Sequence, residues 1–147
     1  RRTSDEKWVV LIYIAPEQYT ELDIGFPDNT VQVVYCGYNN LYGAYFRYFA
    51  GRDDSGNIWW AVLLGTSIYS STQVYSGGDA EDILWGEVGT NRFPAVLFVT
   101  SSGRLRYYAS NGASAEPFPT HTDFIGFGAG KPLITGNVPV DPTRATA

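Results

Sequence analysis

The chain has 147 residues, a net charge of −5 and only two lysines, Lys7 and Lys131. Its basic clusters, Arg1-Arg2 and Arg104-Leu105-Arg106, are short and stand among acidic runs at Asp53-Asp54 and Asp79 to Asp82, which argues against a direct nucleic-acid partner. With 44% hydrophobic and 17% charged residues there is enough apolar area for one buried core, which excludes general disorder, and no apolar run reaches the roughly 18 residues of a helical membrane span.

Eleven Tyr, eight Phe and four Trp stand against no Met, a bias that favours strands and half-wet surfaces. Cys36 is the only cysteine, so neither an intrachain disulfide nor a Cys-based zinc site is available. The chain starts at Arg1 without an initiator Met, as a processed or excised piece would.

Apolar, β-branched and aromatic runs bounded by Gly, Pro, Asn and Asp predict strands at about 8–14, 31–37, 41–50, 58–69, 72–76, 95–100, 104–109 and 122–128. Residues 16–24 could form a helical turn or two. Asp79 to Trp85 begins with acids suited to a helix N-terminus. In the segment after Pro94, two strands flank Ser101-Ser102-Gly103, and alternation in the second arm sets Arg104 and Arg106 on one face and Leu105 and Tyr107 on the other. After Gly130, Pro132, Pro139 and Pro142 break any periodicity. The expectation is an all-β fold, an antiparallel, jelly-roll-like β-sandwich of about eight strands over 1–130 with an extended tail over 131–147. No internal repeat is legible.

The competing fold is α/β, because Arg92-Phe93-Pro94-Ala95-Val96 resembles the proline-led hairpin of thioredoxin-like proteins. Cys36-Gly37-Tyr38-Asn39 lacks the second Cys that dithiol exchange needs.

The sequence assigns no catalytic residue, metal or cofactor. His121 with Asp123 has no marked serine partner, and no Gly-x-Ser-x-Gly elbow exists. Glu81 and Glu87 near Trp85 are the carboxylate pair that glycan hydrolysis would need. Asp53-Asp54-Ser55-Gly56-Asn57 and Asp79 to Asp82 carry hard oxygens suited to calcium but read first as turn residues, and Gly126 to Lys131 fails the spacing of a phosphate loop because Pro132 stands where Ser or Thr belongs. The binding candidates are aromatic: Trp59, Trp60, Trp85, Tyr45 and Tyr48.

Two segments carry a resemblance. Phe46-Arg47-Tyr48-Phe49-Ala50-Gly51-Arg52 is similar to an aromatic-Arg-aromatic run in an early capsid strand, and Thr122-Asp123-Phe124-Ile125-Gly126-Phe127-Gly128-Ala129-Gly130-Lys131-Pro132 resembles an Asp-Phe-x-Phe-Gly pattern near the end of one such protein. Both belong to capsid proteins of picorna-like viruses of the dicistrovirus type. The resemblance implies a structural subunit or projecting domain of a virion, contacting neighbouring protein subunits or a receptor. The alternatives are an extracellular glycan-binding sandwich using exposed aromatics, and a small hydrolase using His121 with Asp123 or Glu81 with Glu87.

Overall fold

The computed structural model describes residues 7–135. All regular structure among them is β: β1 (Val9–Ala15), β2 (Gln18–Asp23), β3 (Thr30–Leu41), β4 (Ala44–Asp53), β5 (Ile58–Leu64), β6 (Ser67–Tyr75), β7 (Ala80–Val88), β8 (Phe93–Thr100), β9 (Leu105–Ala109), β10 (Ser114–Ala115) and β11 (Leu133–Ile134). The all-β sandwich expected from the sequence is what forms. The connectivity within it is simpler than a jelly roll. One sheet runs β3-β4-β5-β6 and the other β10-β9-β8-β7-β11, so consecutive strands neighbour one another in two meanders and the chain passes between these sheets at β6–β7.

Both predicted helical turns are strands. Pro16-Glu17 is a two-residue turn, with Glu17 at φ 60°, that sends β2 back along β1. Asp79 precedes β7, whose alternating Ile83 and Trp85 pack toward the opposite sheet. Local acids lost to tertiary burial there. The single strand expected over 58–69 is cut by a turn at Gly65-Thr66, and 122–128 forms no strand. The thioredoxin-like alternative falls with the absence of any helix among the described residues: Pro94 opens the central part of an antiparallel meander.

The core lies in layers. Between the sheets, Cys36, Tyr48, Ala50, Ile58 and Trp60 meet Ala80, Ile83, Val96 and Phe98. On the far side of the first sheet, Ala61, Leu63, Ile24 and Phe26 are covered by Trp8, Val10 and Leu22 of the β1–β2 hairpin region. On the far side of the second sheet, Leu97, Val99 and Leu105 are covered by Phe118, Phe124, Phe127 and Ile134. Both faces of each sheet are therefore apolar, which explains the near-continuous hydrophobic runs Ile58–Leu64 and Ala95–Val99.

The two meanders are structural repeats of each other. In the first, Asp53 N donates to Asn57 O (3.1 Å) and Gly56 N to Asp53 O (3.1 Å); in the second, Thr100 N donates to Arg104 O (2.9 Å) and Gly103 N to Thr100 O (2.9 Å). Both glycines hold positive φ, at 80° and 78°, and a Cβ on Gly103 would fall 1.9 Å from the Thr122 carbonyl oxygen. Each turn is clamped alike to its surroundings: Asp54 N to Asn29 O (2.9 Å) matches Ser101 N to Asp79 O (2.8 Å), and Ala80 N to Gly56 O (3.0 Å) matches Phe124 N to Gly103 O (3.0 Å). Even the bulges correspond, between Thr30 and Gln32 and between Ala80 and Asp82. Beyond the shared Ser-Gly of the two turns, Ser55-Gly56 and Ser102-Gly103, the matched side chains mostly differ, so the repeat is not legible in the sequence.

The proposed tail begins inside the fold. Leu133-Ile134 pairs in parallel with β7, through Glu87 N to Pro132 O (3.0 Å) and Gly89 N to Ile134 O (2.7 Å). Residues 136–147 of the expected tail lie outside the described residues.

Candidate functional site

Of the five aromatic candidates, two are spent in the core. Trp60 stacks on Tyr48 (5.4 Å, 26°) and meets Tyr108 edge-on (5.3 Å, 67°), and both Trp60 and Tyr48 are 3% exposed. Tyr48 donates its hydroxyl to Asn39 Oδ1 at 2.7 Å, and burial raises its pKa against that bond. Trp59 lies on the other face of β5, packs against the hairpin-side core and donates Nε1 to Asp53 Oδ2 at 3.0 Å. The structure places Trp60 and Tyr48 in the buried layer between the sheets and Trp59, partly buried, in the hairpin-side layer, because both faces of β5 are covered. Trp85 is half-buried beneath Lys131, whose Nζ sits 4.7 Å from its ring, and a Cβ at Gly37 would meet that ring at 2.7 Å. Tyr45 alone is open to solvent, at 50%.

Tyr45 belongs to a surface that the sequence reading only touched. The chain turns at Tyr42-Gly43, where φ of 53° and 79° makes a two-residue hairpin, and this sets Asn40 opposite Tyr45 and Tyr38 opposite Arg47. Tyr38 and Tyr45 come into ring contact at 5.6 Å, and Tyr35, also in contact with Phe49 (5.1 Å) and Trp85 (6.1 Å), extends the patch. Burial raises the Tyr35 pKa, opposed by the charge of the nearby Arg47 guanidinium. The glycine splitting the aromatic run at 43 was the available signal: it folds Tyr38 over onto Arg47 and Tyr45.

A second open surface lies on the hairpin. Val10 and Ile12 turn inward, so Leu11, Tyr13 and Tyr19 turn out and are 60%, 60% and 58% exposed, with Tyr13 and Tyr19 in edge contact at 5.7 Å. Between hairpin and first sheet runs a crevice of about 420 Å³ lined by residues 10–13 of β1 together with Leu63, Thr66 and Arg47. Its walls are mainly apolar with one cation at the rim, the composition of a site for a partner's apolar side chain.

The two carboxylates weighed as a hydrolytic pair are not brought together. Glu81 and Glu87 lie on one strand six residues apart, roughly 20 Å at strand rise, well beyond the separation of a glycosidase pair. His121 packs its ring against Phe118 (5.7 Å) and Phe124 (6.3 Å). Glu87 is engaged by Lys131 at 3.0 Å. The loop acids are likewise occupied. Asp53 accepts from Ser55 N (3.0 Å), Asn57 N (2.9 Å) and Trp59 Nε1, and Asp79 accepts from the Tyr75 hydroxyl. The glycine-rich stretch packs on β7, with Phe127 N donating to Asp82 Oδ2 at 3.2 Å. Among the described residues no three His, Cys, Asp or Glu side chains cluster so as to hold a metal ion. Arg104 and Arg106 share one face and one partner, Glu116, at 2.7 and 3.7 Å, while Leu105 is buried on the other, as the alternation predicts.

Cys36 is fully buried, and desolvation raises its thiol far above the ordinary range. A thiol reagent such as dithionitrobenzoate is expected to leave it unmodified for hours in the folded chain and to react stoichiometrically in denaturant. Rapid modification of the folded chain would show the inter-sheet core to be open.

No family model, curated protein or solved structure matches the chain.

Proposed function

We propose that the chain is a non-enzymatic assembly module that associates with a second copy of itself through the outer face of the β1–β2 hairpin. One observation carries this reading: the hairpin is an end layer whose inner face packs on the first sheet, while among the described residues nothing covers Leu11, Tyr13 and Tyr19 on its outer face. A two-stranded sheet is marginal by itself and gains stability from packing on both sides. Leu11, Tyr13 and Tyr19 gather an apolar and aromatic centre, with the acid Glu21 across from Leu11 at its rim, and the crevice beside them is placed to receive a partner's side chain. An acidic chain with net charge −5 associates through such a face by burial rather than by charge attraction. In a capsid, which the two capsid-like runs suggest as the setting, this face would be an intersubunit contact.

The test is sedimentation velocity over a concentration series, comparing the chain with its Leu11→Ser/Tyr13→Ser variant. Self-association is expected in the parent, with a dissociation constant raised about tenfold or more in the variant, since aromatic anchors at an interface centre carry effects of that size. A parent chain that sediments as a monomer throughout contradicts the proposal.

A further inference from the structure

The inner edges of the two repeats are treated differently. On β7 the outward N–H groups of Glu87 and Gly89 are taken by the carbonyls of Pro132 and Ile134. Among the described residues the matching edge, β3, pairs with β4 on one side only. Leu41 and Ala44 flank the two-residue turn at Tyr42-Gly43 and form the hydrogen-bonded pair next to it. By alternation Asn40 and Tyr38 are then non-bonded positions whose N–H and C=O groups point away from β4. Through the repeat, Tyr38 corresponds to Glu87 and Asn40 to Gly89. Tyr38 is 58% exposed and Asn40 is exposed, so the edge is open where its counterpart is filled.

We infer that the Tyr38–Leu41 edge of β3 is a strand-addition site that takes an extended segment of a partner protein in parallel, as β7 takes residues 132–134. The charge preference is inverted relative to β7. There, the incoming strand brings Lys131 onto Glu87 (3.0 Å) and over the Trp85 ring. At the first edge Tyr38 replaces Glu87, and Arg47 stands directly across from it on β4. The segment that fits therefore carries an acid in place of the lysine, set toward Arg47, followed by apolar residues beside Tyr38 and Tyr45. An aromatic, unpaired edge is a liability in a lone domain, and after the register shift between Tyr35 and Tyr38 neither a lysine nor a proline blunts Tyr38–Leu41.

This inference deepens the binding-module reading and rests on it only that far: peptide uptake at β3 is measurable on a monomer, so it and hairpin self-association fail separately. The probe is a fluorescein-labelled peptide of residues 129–135, Ala-Gly-Lys-Pro-Leu-Ile-Thr, and its Lys131→Glu form, titrated by anisotropy against the whole chain. The Lys131→Glu peptide is expected to bind about tenfold more tightly than the parent peptide, with the order reversed on the Arg47→Glu chain. An N-methyl group on the Ile134 amide of the peptide is expected to abolish binding, because in a parallel ladder that amide donates to the receiving strand. Absence of binding by both peptides overturns the inference. So does binding that survives N-methylation, or a preference unmoved by Arg47→Glu.

Discussion

Replacing Trp60 with alanine is expected to cost about 4 kcal/mol of folding stability. The indole lies in the middle of the layer between the two sheets, 3% exposed, stacked on Tyr48 from its own sheet and edge-on to Tyr108 from the other. Its removal therefore opens a cavity that no single neighbour can refill, and it also ends two aromatic contacts worth about 1 kcal/mol each beyond area burial. Trp60→Phe keeps most of the volume and is expected to lose about half as much. Urea denaturation of the three proteins checks both values. A loss below about 1 kcal/mol for Trp60→Ala would mean that the sheets do not pack face to face through this ring.

Asp53→Ala is expected to cost about 3 kcal/mol, by a different mechanism. The carboxylate is 3% exposed and closes the first repeat's turn by accepting from Ser55 N, Asn57 N, Asn57 Nδ2 and Trp59 Nε1. Truncation leaves these donors unpaired at the base of the hairpin. Burial by itself would raise the Asp53 pKa, but the hydrogen bonds led by the Asn57 amide outweigh it, and the net shift is downward. A folded pKa below the unfolded value, which is about 3.9, means that the contribution is complete above that value and is lost as pH falls through the folded pKa. The difference in stability between the parent chain and Asp53→Asn is thus expected to be steady from neutral pH down to about 4 and to shrink below it. Thermal unfolding at several pH values measures this. A difference that grows on acidification would place the charge outside the bonded network.

The strands that bury both faces were legible because apolar runs such as Ile58–Leu64 and Ala95–Val99 are unambiguous once Gly and Asp bound them. The face of Arg104 and Arg106 was legible from alternation alone. Less visible were strands whose local chemistry points elsewhere: Gln18–Asp23 is mostly polar because it edges a hairpin, and Asp79-Ala80-Glu81-Asp82 has the acids of a helix start. Tertiary pairing decided both. The repeat was hidden because it resides in backbone hydrogen bonds at Gly56 and Gly103, which constrain the glycine and little around it. Trp59, Trp60 and Tyr48 went to packing layers for a related reason. Adjacent indoles at 59 and 60 must face opposite ways, and one of them is fully open only if a face of the sheet is bare; here Trp60 is buried between the sheets and Trp59 is partly covered on the hairpin side. Tyr45 pointed to the right surface, while Tyr38, Tyr35 and Arg47 became neighbours only through the turn at Gly43.

The central claim, that the outer face of the β1–β2 hairpin is the contact between copies, is tested most directly by amide hydrogen exchange measured on dilute and concentrated samples of the chain. Exchange in Val9–Ala15 and Gln18–Asp23 is expected to slow as concentration rises, with β8 unchanged. Hairpin exchange that is the same at every concentration, in a range where the chain sediments as an oligomer, would place the contact elsewhere and contradict the account.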